Sequence, residues 1–207
     1  MIVVLGRPGL AAQGADGTRP VGGLAALVAI DIAARGVRVE LVGSIGDDAS
    51  GDAVGVALGR AGVGHAALLR DPAGTTPVVG GVTGRPLPRM DAADVELGLK
   101  YLSDCRVLVV ADALDERAAS ATMDAASYHG AQVIAIVEPG VRLPVAWEHG
   151  ATVLVAPDPD EDDPDDDDPV PFAAVIAGFA VALAEGVPAR EALSRAVSGG
   201  GWERAPE

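Results

Sequence analysis

Thiols are nearly missing from this sequence: Cys105 is its one cysteine. That excludes an internal disulfide framework and fits a reducing, cytoplasmic setting. With its small size and its place just ahead of a strand, Cys105 reads as a packed core residue rather than a nucleophile. Aromatics make up only 3% of the 207 residues, so Ala, Val and Leu must fill the core of a chain that is 49% apolar. Basic residues are also few, 15 Lys and Arg against 30 Asp and Glu, for a formal charge of −15. Nucleic acid and an anionic membrane surface would repel such a chain, so both are excluded as natural partners. No apolar run approaches the roughly 20 residues that span a bilayer. The most apolar stretch, 172–184, reads as a buried helix. The opening "MIVVLGRPG" has no basic segment and reads as a first strand rather than a signal peptide. The three histidines, His65, His129 and His149, lack metal-ligand spacing. The last two each precede a glycine near an expected helix end, where a histidine favours the dipole.

What the sequence does hold is alternation. Apolar, β-branched runs predict strands at 2–5, 37–42, 76–82, 107–111, 132–137 and 152–155. Most are apolar throughout, as parallel strands covered on both faces should be. Ala-rich segments predict helices at 22–34, 50–61, 91–102, 115–129, 171–184 and 189–197. Asp91 and Asp115 are N-cap candidates, and Gly36, Gly62 and Gly130 are C-cap candidates. This order predicts one domain, a Rossmann-like three-layer α/β/α sandwich with a mostly parallel sheet. Residues 158–168, "DPDEDDPDDDD", break the rhythm. Nine are acidic and two are proline, which predicts a solvated loop. Carboxylates are hard ligands for a divalent cation, but the run lacks the glycine turn of a calcium loop. A glycine-led tail, 199–207, is expected to be flexible, with Trp202 within it.

Three stretches together resemble the ribokinase-like (PfkB) carbohydrate kinase family. The first is "GGLAALVAIDIAARGVRVELVGSIGDDASGDAVGVALGRAGV", residues 22–63, with its Gly-Gly turn and its Gly46-Asp47-Asp48 cluster followed by Gly51 and Asp52. Thr76-Pro77 falls where the family often opens a strand with Thr. The second is "EPGVRLPVAWEHGATVLVAPDPDE", residues 138–161, similar to the family's Asp-Pro-Asn-x-Arg, following Trp and later Pro-Asn-x-x-Glu. The third is the C-terminal helix pair.

The resemblance implies a ribokinase-like fold and phosphoryl transfer from ATP to a sugar or nucleoside hydroxyl. Such chemistry needs a base, an anion hole and a bridging metal. Residue by residue, the implied machinery is depleted. The family's base position falls at Ala174, with Asp168 as fallback, and its anion-hole glycines fall near Pro171, Phe172 and Ala173. Proline has no N–H to give an anion, and Ala cannot take a proton. The sugar-holding Asp after the first strand has no counterpart before Asp16, and the family's Asn aligns with Leu27. About fifteen residues separate Gly6 from Gly22, too few for the family's lid, and part of the nucleotide half is missing between Glu161 and Pro171.

Some positions survive. Glu161 and Asp158 are candidate metal ligands, and Arg142 is a candidate cofactor-binding residue. Asp112 and Glu138 follow apolar strands, at the edge where α/β sheets bind ligands, and are candidate substrate-binding residues. The expectation is a kinase-family protein without catalysis, acting through assembly, regulation or ligand binding. A homo-oligomer, with a dimer the simplest form, would cover surface the lid and nucleotide half leave bare. The alternative is an active ATP-dependent sugar or nucleoside kinase with a rearranged site, and only then would Mg²⁺ and ATP be its cofactors.

Overall fold

In the computed structural model, which describes residues 1–12, 20–79, 86–157 and 169–199, the apolar runs fold as parallel strands and the Ala-rich segments as helices. In chain order these are β1 (Ile2–Leu5), β2 (Gly9–Leu10), β3 (Val21–Gly22), α1 (Leu24–Ala34), β4 (Val39–Gly46) and α2 (Ala49–Arg60). Next come β5 (Leu68–Asp71), α3 (Ala92–Leu99), β6 (Val107–Val110), α4 (Glu116–His129), β7 (Gln132–Val137), a 3-10 turn at Val145–Trp147, β8 (Ala151–Val155), α5 (Pro169–Ala184) and α6 (Ala189–Gly199).

Six strands form one sheet in the order β5-β4-β1-β6-β7-β8, every neighbouring pair parallel. The order reverses between β1 and β6, so the sheet is doubly wound with its switch point there. Side chains alternate between two cores. Ile2 and Val4 join the cluster under α1, α5 and α6, while Val3 and Leu5 join the one under α3 and α4. All four residues of β1 and of β6 are buried, which is why both read as unbroken apolar runs.

Helix α1 has one polar residue, Asp31, and packs beside α5 on the same face of the sheet. Phe179 and Ile176 of α5 are fully buried against it, each worth roughly 1.5–3 kcal/mol in apolar surface removed from water. The predicted caps are in place. Asp91 closes a capping box on α3, Asp115 accepts from the Ala118 N–H, and Gly130 ends α4 at φ 64°.

Two expectations shift. The segment 76–82 is no sheet strand over its described part; Val78 makes one isolated bridge, to Leu10. The sixth strand is β5, Leu-Leu-Arg-Asp, whose charges interrupt the apolar signal. Between Gly6 and Gly22 the described residues hold an antiparallel ladder, two residues on each strand, pairing β2 with β3. Residues 158–168, the whole of the acidic run, and 200–207, all of the tail after Gly199, lie outside the described residues. No described helix is long and apolar enough to cross a membrane.

Candidate functional site

The switch point places the ends of β1 and β6 side by side, and each strand continues into the residues that meet there: Gly6-Arg7 from one, Ala111-Asp112 from the other. Here Arg7 and Asp112 form a forked ion pair. Arg7 Nε lies 2.7 Å from Oδ2, and Nη2 lies 2.7 Å from Oδ1. The Arg7 backbone N–H donates to Oδ2 at 2.9 Å, and that of Ala113 to Oδ1 at 2.8 Å. Both side chains are largely enclosed, 19% and 17% exposed. A carboxylate has about four acceptor positions, and these donors fill them. Asp112, a candidate substrate ligand by its place at the strand end, has therefore no lone pair to offer a hydroxyl. The hydrogen bond to Asp112 raises the Arg7 guanidinium above its ordinary value, against the burial that would lower it.

The floor beside this pair is main chain and the methyl of Ala25. A Cβ on Gly6 would stand 2.8 Å from the Ala25 Cβ and 3.2 Å from the Ala111 oxygen, and one on Gly43 would overlap the Gly6 carbonyl. Gly23, at φ 82°, then turns the chain into α1 with no side-chain cap. Leu27 is partly buried against the core.

The Gly46-Asp47-Asp48 stretch serves the fold. Asp48 caps α2, with Oδ1 accepting from the Gly51 N–H at 2.8 Å and Oδ2 from the Thr76 N–H at 3.0 Å. The buried Thr76 hydroxyl accepts from the Gly46 N–H at 2.9 Å. Burial works to raise the Asp48 carboxyl, but the hydrogen bonds from Thr76 and Gly51 outweigh it and hold it below the ordinary value. Asp47 and Asp52 both pair with Arg70 of β5, at 3.5 and 2.7 Å. Thus the carboxylates of this motif are engaged within the chain, and Thr76 works as a tie to the β4–α2 turn.

Glu138 and Arg142 lie exposed after β7, and among the described residues neither makes an ion pair. Asp158, Glu161 and Asp168 lie outside the described residues. Among those described, no group of three or more His, Cys, Asp or Glu side chains could hold a metal ion. His65 sits 2.9 Å from the Val63 carbonyl, and His129 meets Tyr128 edge to face. Ala174 lies in the second turn of α5, its carbonyl accepting from Arg35 Nη2 at 3.4 Å, so its methyl is part of the helix body.

An open cavity of about 570 Å³ lies at the opposite, amino edge of the sheet, lined by Met1, Cys105, Arg106, His129, Ala184 and Glu185 among others. Arg106 there donates to the last carbonyl of α5 at 3.3 Å. Burial pushes the Cys105 thiol up to about 11, which keeps it protonated and unreactive. The sequence offered no sign of this cavity or of Arg7 as the partner of Asp112.

No protein-family model matches the sequence, and no curated protein is significantly similar to it. Solved structures do resemble it. A PfkB protein from Polaromonas sp. JS666 is 17% identical with a TM-score of 0.65, over 96% of this chain and 94% of that one. A fructokinase with bound ATP from Xylella fastidiosa is 18% identical with a TM-score of 0.54, over 95% of this chain and 65% of the kinase. The 2-dehydro-3-deoxygluconokinase of Thermotoga maritima is 17% identical with a TM-score of 0.52, over 68% and 51%. These likenesses show the fold, that of the ribokinase-like carbohydrate kinases.

Proposed function

From a ribokinase-like fold, we propose that this chain transfers no phosphate and acts by assembly. The observation that carries the reading is the opening of α5. Its first six residues, Pro169, Val170, Pro171, Phe172, Ala173 and Ala174, include no acid and no hydroxyl. Two of the first three lack an N–H. The first turn of a helix is where N–H groups have no partner within the helix and where an anion would be held. Proline there removes donors at little cost to the helix itself. A helix so opened keeps its packing and is poor at meeting developing phosphate charge. The saturated carboxylate of Asp112 argues in the same direction, since a hydroxyl at the switch point would find no free lone pair on it.

The test is incubation of the full chain with ATP, Mg²⁺ and a panel of sugars and nucleosides. The expected outcome is no phosphorylated product and no ATP-dependent rise in melting temperature. Turnover of any member of the panel overturns the reading.

A further inference from the structure

A parallel sheet has two edges, and in this molecule they are unlike. The β5 edge carries Arg70, held between Asp47 and Asp52, and ends on Asp71. Charges of this kind keep an edge from pairing with another chain. The β8 edge, Ala-Thr-Val-Leu-Val, has no charge, no proline and no glycine. Its residues are only partly buried, and Val155 is 60% exposed. The Ala156 N–H donates to the Val137 carbonyl. By the alternation of a parallel ladder, Thr152 and Leu154 then also face β7, and Ala151, Val153 and Val155 turn their N–H and C=O groups outward. Among the described residues no strand or loop pairs with that side. Val141 and Val145, on the connection from β7 to β8, add exposed apolar surface.

We propose that β8 joins two copies of this chain, antiparallel and edge to edge across a two-fold axis at Val153. Only another strand matches a row of outward main-chain groups. A second β8 matches this one, placing Val153 opposite Val153 and Ala151 opposite Val155, with about six main-chain hydrogen bonds by the pairing rule for antiparallel strands. Charge selects the arrangement. Residues 158–168, nine of them acidic, begin three residues beyond Val155. Antiparallel pairing puts the two exits from β8, after which these acids follow in sequence, at opposite ends of a seam roughly 16 Å long at about 3.3 Å per residue, beyond the screening length of about 8 Å in physiological salt. Parallel pairing would bring both exits to one end, about 5 Å apart, where the like charge that follows in sequence opposes it. The closed two-fold also uses up the open edge in both copies, so the assembly stops at two.

The inference deepens the assembly reading above but fails separately from it, because no described residue pairs with this edge whether or not the chain transfers phosphate. The test is the mass of the full chain by light scattering over a concentration series at low and high salt, for the wild type, Val155→Lys and Val153→Pro. Val155 is exposed, and the Val153 N–H points away from β7, so both changes spare the existing ladder. The expected result is two copies for the wild type, favoured further by salt, and one copy for both variants with unchanged circular dichroism. A monomeric wild type overturns the proposal, as does a dimer that survives both changes. Should the variants misfold, hydrogen exchange on the wild type decides. Protection of the Val153 and Val155 amides that grows with concentration supports the seam, and its absence overturns it.

Discussion

Arg7 and Asp112, 105 residues apart in the chain, close on each other across the one seam where the two halves of the sheet meet. The forked geometry is the strong form of an ion pair, and the low exposure of both groups keeps water from competing for it. The pair is both a tie between the halves and a plug over the strand end where a ligand would look for a carboxylate.

Replacing the guanidinium, Arg7→Met, is expected to cost about 2 kcal/mol, because it leaves a largely enclosed carboxylate with two donors fewer. For a chain of this length that lowers the melting temperature by roughly 4–8 °C. Arg7→Met with Asp112→Ala is expected to cost less than the sum of the single changes, with a coupling of about 1–2 kcal/mol in thermal or urea melts. Strict additivity would show that the pair does not act as one.

Asp48 ties acid stability to the β4–α2 turn. Its carboxyl is held below its ordinary value of 3.8, so the unfolded chain binds the proton more readily. Its contribution is present above the unfolded pKa and is lost as pH falls through the lower folded pKa. Asp48→Ala is expected to cost about 1–2 kcal/mol at neutral pH through the lost cap and to flatten the fall in stability below about pH 4. Urea melts from pH 7 down to pH 3 measure both, and an acid limb as steep as in the wild type would remove Asp48 from this role.

Glycines separate into two kinds. A Cβ at Gly43 overlaps the Gly6 carbonyl, whereas one at Gly55, inside α2, meets nothing within 4 Å. Gly43→Ala is expected to destabilise by about 3 kcal/mol or more through a clash that neighbouring main chain cannot relieve. Gly55→Ala is expected to stabilise by about 0.5–1 kcal/mol, by restricting the unfolded chain and favouring the helix. Melting temperatures moving in opposite directions confirm the contrast.

Cys105 sets an alkaline limit. Its thiol is raised from 9.0 to about 11 by burial, so in this region the unfolded chain ionises first. The stability it contributes is complete below pH 9 and is lost between pH 9 and 11. Alkylation by iodoacetamide at pH 8 is expected to be slow in the folded chain and fast in urea, and Cys105→Ala is expected to remove part of the alkaline loss. Rapid labelling of the native protein would contradict the burial argument.

Much of this architecture was legible in the sequence, for reasons that can be named. Residues 2–5 and 133–137 are unbroken apolar runs close to glycines, so β1 and β7 could both be placed. Asp91, Asp115 and Gly130 announced helix ends because their side chains, or the lack of one, have a specific job there. β5 was hidden because half of its four residues are charged, and 76–82 looked like a strand because Thr76 and its apolar followers have the right composition. Thr76 is spent on Gly46 and Asp48 instead. The switch-point site was half legible. The position of Asp112 after an apolar strand was readable, but its occupation by Arg7 depends on strand order, which no local pattern encodes.

The contact between Gly6 and Gly43 has a consequence for how such a crevice can diversify. Where these two glycines meet, peptide backbone is pressed against peptide backbone, with no side chain at that contact for substitution to resize or recharge. New specificity can be written only into the surrounding loops, so the underlying contour stays constant however far the sequence drifts.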